Sequence, residues 1–232
     1  LVNKLIMHSI SKFTTLLFSF SLLFLQINCA KTTDVEPITE PINPVDTTNT
    51  DLDTVYLNAN ISGFIINEVL YDPPSGLPGD ANNDGVRDPN EDEFVEFVNI
   101  SDSCIDLSYC KIFDTENLNL GTPNHQFPAN TFLSSGKSLV VFGGGSPSGL
   151  FGNSIVLTSS NAVMNLNNSG DVMTLTDSLN NIILEFDVEP LSNNPNESYT
   201  RSPDLTGDFE QHATVITGVL FSPGTRVDGS PF

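Results

Sequence analysis

The spacing of apolar residues is the feature that most constrains how this chain folds. After about residue 58, short apolar runs are separated by Gly, Pro, Asn, Asp and Ser, and no stretch has the periodicity of an amphipathic helix of about ten residues or more. In DVMTLTD, Met173 and Leu175 alternate with hydroxyl and acidic residues, as in a half-buried strand. The pattern therefore predicts an all-β domain.

The strand candidates are spread along the whole of this region. The clearest are GFIINEVLY (63–71), EFVEFVN (93–99), YCKIFD (109–114), KSLVVFG (137–143), DVMTLTD (171–177) and NIILEFDV (181–188), and weaker ones are CIDL (104–107), SIVL (154–157) and SYTRS (198–202). Short strands at this spacing, with turn residues between them, predict a β-sandwich of about 8–9 strands. We assign the sandwich to residues 59–232.

The N-terminal region has the composition of an export signal followed by a linker. Residues 1–28 place Lys4 and Lys12 before the apolar run 13–27, which ends at LQINC. LQINC resembles a bacterial lipobox, which predicts lipidation of Cys29 and anchoring of an exported protein to the outer membrane or cell surface. A plain secretory signal or an uncleaved anchor is the alternative. Residues 29–58 are rich in Thr, Pro and Asp, so we expect a disordered tether.

Five motifs in order resemble the bacterial lamin-tail domain. They are IINEVLYDP, EFVEFVNISDSCIDLSYCKIFD, HQFPANTFLSSGKSLVVFGGG, LNNSGDVMTLTDSLNNIILEFDV, and ESYTRSPDLTGDFEQH with FSPG, from about Gly63 to the C-terminus. The resemblance implies an immunoglobulin-like β-sandwich and a binding or anchoring module. One position departs from the family pattern, because Tyr109 stands where the family commonly has glycine.

The stretch DANNDGVRDPNE (80–91) matches the D-x-[DN]-x-[DN]-G-x5-E pattern of a calcium-binding loop. Gly85 permits the sharp turn, and Ca²⁺ is bound by about 6–8 oxygens, most of which such a loop supplies. We expect a structural calcium site with the ligands Asp80, Asn82, Asp84, Val86 (by its carbonyl), Asp88 and Glu91, and with Glu68, Asp72, Asp92 and Glu93 as supplementary candidates. No helix pair is expected around it, and a solvated acidic connection is the alternative.

Two cysteines remain after Cys29. An exported protein permits a disulfide between Cys104 and Cys110, provided that the chain turns near residues 107–109. Two buried thiols are the alternative.

Charge and motif content narrow the function. With 8 Lys and Arg against 29 Asp and Glu, the chain carries a formal charge of −21, so we expect no nucleic-acid binding. No P-loop, HExxH or GxSxG motif is present, and the pair Glu93 and Glu96 is the only carboxylate pair singled out for acid–base work. We expect a non-catalytic, calcium-stabilised surface module that binds a protein or glycan partner. The alternative is a secreted hydrolase, directed at glycans or phosphoesters, with an unrecognised acidic site.

Overall fold

The computed structural model describes residues 61–193 and 195–232. Within them lie twelve strands: β1 (Phe64–Leu70), β2 (Phe94–Asn99), β3 (Ile105–Asp106), β4 (Lys111–Phe113), β5 (His125–Gln126), β6 (Phe132–Leu133), β7 (Ser138–Phe142), β8 (Ile155–Thr158), β9 (Val172–Thr176), β10 (Ile182–Asp187), β11 (Tyr199–Ser202) and β12 (Asp208–Gln211). Two short helices are present, α1 (Thr115–Leu120) and α2 (His212–Val215), with 3₁₀ turns at Leu77–Gly79, Phe151–Asn153 and Glu189–Leu191. The predicted signal segment, Cys29 and tether lie outside the described residues.

The strands form an all-β, immunoglobulin-like sandwich, as predicted. One sheet has the order β12-β11-β1-β2-β7-β8, the second has the order β10-β9-β4-β5, and β3 pairs with β6. Neighbouring strands are antiparallel except for β7 and β8. Every predicted strand is present, and the structure adds β5, β6 and β12. β5 and β6 are two residues long, too short to leave a sequence pattern.

The main core lies between the sheets because inward-facing residues alternate along each strand. Val95 and Phe97 of β2 pack in one cluster with Ile112 of β4 and with Met173 and Leu175 of β9. The large sheet also buries part of its other face, where Leu70, Phe94 and Phe142 form a second cluster with Ala81 and Val140. The sandwich therefore has an inner core and a smaller outer one.

The outer face of the large sheet is covered by residues 212–225, which we call the C-terminal strap. Glu68 and Glu96, directly opposite each other on β1 and β2, are fully buried there. Ser222 donates from its N–H (2.8 Å) and its hydroxyl (2.6 Å) to Glu68, and Gly224 N–H donates to Glu96 (2.7 Å). Asn67 donates to the other oxygen of Glu96 (3.0 Å). The register shift between Ile66 and Glu68 accompanies this arrangement.

The disulfide between Cys104 and Cys110 stays a prediction. Cys110 is buried in the main core with Leu107, whereas Cys104 is half-buried at the entry to β3. The turn itself is kept, because Tyr109 takes a φ of 64°, the left-handed conformation that favours glycine.

No helix in residues 61–193 or 195–232 has the length and hydropathy needed to cross a membrane.

Candidate functional site

The acidic loop, residues 80–91, connects the first 3₁₀ turn to β2. Asp84 N–H donates to both Asp80 Oδ1 (3.1 Å) and Asn82 Oδ1 (3.0 Å), and Gly85 N–H donates to Asp80 Oδ2 (2.9 Å). Gly85 has a φ of 94°, which allows the chain to turn sharply at this point. Three of the predicted ligands, Asp80, Asn82 and Asp84, are thereby brought together on one tight turn.

The other three predicted ligands lie further along the loop. Asp88 Oδ1 accepts from the N–H groups of Asn90 (2.9 Å) and Glu91 (3.1 Å), so this carboxylate holds the turn that leads into β2. Val86 is an exposed residue, and its N–H donates to Asp84 Oδ1. The Glu91 carbonyl accepts from Gly144 (3.0 Å).

Asp92 closes the acidic loop from inside. Its two carboxylate oxygens accept from Asn82 N–H (3.0 Å) and Asp88 N–H (2.8 Å), and its side chain is fully buried. Burial raises the pKa of Asp92, an effect that these hydrogen bonds oppose. Of the supplementary candidates, Asp92 alone is bonded within the loop, while Glu68 lies under the C-terminal strap.

The glycine loop, residues 143–149, packs against the acidic loop. Ser146 N–H donates to Asp84 Oδ2 (3.0 Å), and Ser148 N–H donates to the Asn82 carbonyl (2.9 Å). At Gly145, which has a φ of 73°, a Cβ would collide with the Asn82 amide and lie 2.6 Å from Asp84 Oδ2. A glycine is therefore required where the two loops meet.

The oxygen atoms of the acidic loop are ligands suited to a hard cation. Carboxylate, amide and carbonyl oxygens are the ligands that Ca²⁺ takes. Among the described residues, no three or more His, Cys, Asp or Glu side chains are already arranged to hold a metal ion. A calcium-binding loop also draws on Asn82 and on the Val86 carbonyl, which are not of those residue types.

A cavity of about 750 Å³ lies beside the acidic loop. Its lining is polar and comes from four separate segments of the chain. The lining residues are the carboxylates Asp72, Glu93, Asp114, Glu116 and Asp171, the amides Asn90, Asn119, Asn165, Asn167 and Asn168, and Pro73, Arg87, Pro89, Thr115, Leu166 and Gly170. No aromatic side chain lines it.

Backbone and amide donors hold three of the lining carboxylates in place. Asp114, the N-cap of α1, accepts from Asn117 N–H (2.6 Å) and from the Asn165 side chain (2.7 Å). Asp171 accepts from the N–H groups of Thr115 (3.0 Å) and Asn167 (3.1 Å).

Asp72 is held in the same way. It accepts from the Asn168 side chain (2.6 Å) and from Asn196 N–H (3.1 Å). The cavity wall is therefore built from carboxylates whose orientation is already set.

Among the lining residues, Glu93 has the most strongly shifted pKa. It is 4% exposed, and its Oε2 accepts from Leu166 N–H (3.3 Å). Burial raises the pKa of Glu93 to about 9, and the nearby carboxylates of Asp171 and Asp114 raise it further, while hydrogen bonds from the backbone of Leu166 and Asn165 oppose the shift. At neutral pH this side chain is a neutral acid with an O–H to donate.

The carboxylates and histidines that could serve in acid–base catalysis do not lie together at one site. Glu93 lines the cavity, but Glu96 lies under the C-terminal strap, because residues three apart on a strand face opposite sides. His125 is 2% exposed, and burial lowers its pKa to about 4. His212 is fully buried and is hydrogen-bonded to the Val219 carbonyl and the Ser222 hydroxyl.

Most of the cavity was missed by sequence reasoning, which singled out only Asp72 and Glu93 and considered both as calcium ligands. Two local signals were present. Asp114 precedes a short helical stretch as an N-cap, and the run LNNSGD (166–171) is polar with a glycine before a strand. Neither signal says that the two segments meet.

Comparison with known proteins gives one match. The family model described as Lamin Tail Domain matches residues 58–189, more than half of the 232-residue chain. The match ends before β11, so the last two strands and the C-terminal strap lie outside it. No curated protein matches the chain significantly.

Proposed function

The chain belongs to the lamin tail domain family, and from this membership we propose that it is a non-catalytic module of the bacterial cell surface, stabilised by Ca²⁺, that binds a protein or glycan partner. Export and lipid anchoring through Cys29 are part of the same proposal and are supported by the LQINC sequence.

An immunoglobulin-like lamin tail domain fits a non-catalytic module. Both histidines of the described residues, His125 and His212, are buried, and neither lines the cavity. The carboxylates that do line it accept hydrogen bonds from backbone and amide groups. These features support binding rather than turnover.

The observation that carries the calcium proposal is the gathering of Asp80, Asn82 and Asp84 around one backbone N–H. The carboxylates repel each other at close range in the absence of a cation, and a bound cation removes that repulsion. The ligands would be Asp80, Asn82, Asp84, Asp88 and Glu91 by side chain and Val86 by carbonyl. Since the glycine loop is bonded to Asp84 and Asn82, the ion would stabilise both loops.

Thermal unfolding in calcium and in chelator tests this proposal. A ligand that binds only the folded state adds about 2.7 kcal/mol at a hundred times Kd, so excess chelator is expected to lower Tm by several degrees. Asp80→Asn keeps an oxygen that accepts from the Asp84 N–H but removes a charge at the position where the calcium-loop pattern takes only Asp, and it is expected to abolish the response to chelator. Added salt is expected to restore part of the stability lost in chelator, because it screens the carboxylates.

The matched control is Asp102→Asn, an exposed aspartate in the turn between β2 and β3. This variant is expected to respond to chelator as the wild type does. Equal wild-type Tm values in millimolar calcium and in excess chelator would show that the loop is an ordinary acidic connection.

Export is tested separately through Cys29. The wild type is expected to incorporate a fatty-acid label and to fractionate with membranes, and Cys29→Ser is expected to lose both. A wild type that carries no label would refute the lipoprotein proposal while leaving the calcium proposal intact.

One observation favours the hydrolase alternative, namely the raised pKa of Glu93 in a cavity, which is a property of general acids. Incubation with neutral polysaccharides and with phosphodiesters decides between the two functions. Turnover that is lost in Glu93→Gln would establish the alternative, and binding without turnover would support the proposal made here.

A further inference from the structure

We propose that the cavity between the acidic loop, α1 and residues 165–171 binds a neutral sugar residue of a glycan chain. The inference rests on the proposed function, because it names the partner class and the site that the module uses. The cavity of about 750 Å³ falls in the range of ligand-binding sites, about 300–1,000 Å³.

The exposed amides of the cavity offer both donors and acceptors. Asn165 and Asn168 donate their amide nitrogens to Asp114 and Asp72, so each still presents its amide oxygen as an acceptor. Asn167 accepts from Ser169 through its oxygen and still presents its NH₂ group as a donor. A sugar hydroxyl both donates and accepts, and it therefore matches this mixed lining.

Glu93 holds the wall of the cavity in place. Its side chain is 4% exposed, and its Oε2 accepts from the Leu166 N–H (3.3 Å). This bond fixes the segment that carries the lining amides Asn165, Asn167 and Asn168 beside the start of β2.

The charge of the lining selects against anionic sugars. Five carboxylate residues face the cavity with one arginine, and Arg87 donates its guanidinium to the carbonyls of Pro74 (2.8 Å) and Pro73 (2.5 Å). A uronic acid, sulfate or phosphate group would be repelled, because the five acidic residues of the lining outnumber its one arginine, whose guanidinium is already bonded to two carbonyls.

A lysine or arginine side chain of a partner protein is less well matched than a sugar. The carboxylates of Asp72, Asp114 and Asp171 already accept from two or more N–H groups each. Hydroxyl groups can use the remaining amide groups of Asn165, Asn167 and Asn168.

Calorimetry with the full chain in calcium tests the inference. The probes are neutral hexose and pentose oligosaccharides, oligogalacturonate as the anionic counterpart, and a lysine-rich peptide. Asn119→Trp fills the cavity from α1, where the Asn119 amide bonds only the Thr115 carbonyl. Leu120→Trp, on the same helix but outside the cavity lining, is the matched control.

We expect a neutral oligosaccharide to bind the wild type and Leu120→Trp alike. Asn119→Trp is expected to weaken binding at least tenfold, which is the effect of about 1.4 kcal/mol. Glu116→Ala, at the exposed rim of the cavity, is expected to weaken it less.

Three results would overturn the inference. They are the absence of binding to any neutral sugar, sugar binding that Asn119→Trp does not alter, and preferential binding of oligogalacturonate or of the lysine-rich peptide. The chelator experiment tests the calcium proposal independently of sugar binding, because it measures Tm in the absence of sugar. A calcium-dependent Tm together with no sugar binding would reject only the inference made here.

Discussion

At the scale of single residues, Glu93 links stability to the candidate site. Its pKa is raised from 4.5 to about 9, so the folded state holds a proton that the unfolded state releases above pH 4.5. The stability that this proton contributes is fully present below pH 4.5 and is lost as the pH rises through about 9.

Glu93→Gln is predicted to be more stable than the wild type at neutral pH and to flatten the pH dependence. The glutamine retains an oxygen for the Leu166 N–H but has no charge to bury. The gain at pH 7 is of order 3 kcal/mol, taking 1.36 kcal/mol for each pKa unit. Denaturant unfolding at pH 5, 7 and 9 measures it.

The control for this prediction is Glu185→Gln, an exposed glutamate on β10. It is expected to unfold in parallel with the wild type at all three pH values. A constant difference between Glu93→Gln and the wild type from pH 5 to pH 9 would contradict the assigned titration.

At the scale of elements, the acidic loop and the glycine loop stabilise each other. Gly145 lies at their closest approach, against Asn82 and Asp84. The backbone of the glycine loop donates to the Asp84 carboxylate and to the carbonyls of Asn82 and Glu91. These bonds make the glycine loop part of the candidate calcium site.

Gly145→Ala is predicted to destabilise the domain more than Gly136→Ala does. Both glycines have a φ near 70°, so both alanines incur the left-handed strain of about 1–2 kcal/mol. At Gly136 a Cβ meets nothing within 4 Å, whereas at Gly145 it would collide with the acidic loop. The additional loss is about 1–3 kcal/mol, the usual effect of overpacking.

Thermal unfolding of the two variants with and without calcium provides the measurement. Gly145→Ala is also expected to reduce the response to chelator, since the collision displaces Asp84. Equal destabilisation by the two alanines would mean that the loops do not pack as described.

At the scale of the whole molecule, the C-terminal strap completes the fold outside the region that the family model matches. It brings Ser222 and Gly224 to Glu68 and Glu96. Burial raises the pKa of both carboxyls, and the charge of Glu68 raises that of Glu96 further. Without the strap, these two side chains and the cluster around Phe94 would be exposed to solvent.

A chain ending at Gln211 is predicted not to fold cooperatively. It lacks three hydrogen bonds to buried carboxyl groups, and leaving a buried polar group without its partner costs about 1–3 kcal/mol each. Their sum is comparable with the whole stability of a domain, about 5–15 kcal/mol. Circular dichroism during heating measures the loss of the transition.

A chain ending at Arg226 retains Ser222 and Gly224 and is the matched control. It is expected to keep a cooperative transition. A cooperative transition of near wild-type Tm in the chain ending at Gln211 would show that the strap is dispensable.

The sequence by itself determined the strands and the turn chemistry. Strand alternation and turn residues are local, so β1, β2, β4 and the later strands follow from runs of a few residues, and the glycine and oxygen side chains of the acidic loop follow from their spacing. β5 and β6 are difficult to predict in this way, because each is two residues long and leaves no alternating pattern.

Only the tertiary structure decided which of these elements meet. Asp72, Glu93, Asp114 and Asp171 belong to different connections, and folding brings them to one cavity. Packing also placed Cys110 in the main core. The physical reason is that burial, and the pKa shifts and hydrogen bonds that come with it, depends on residues far apart in the chain, which local patterns do not specify.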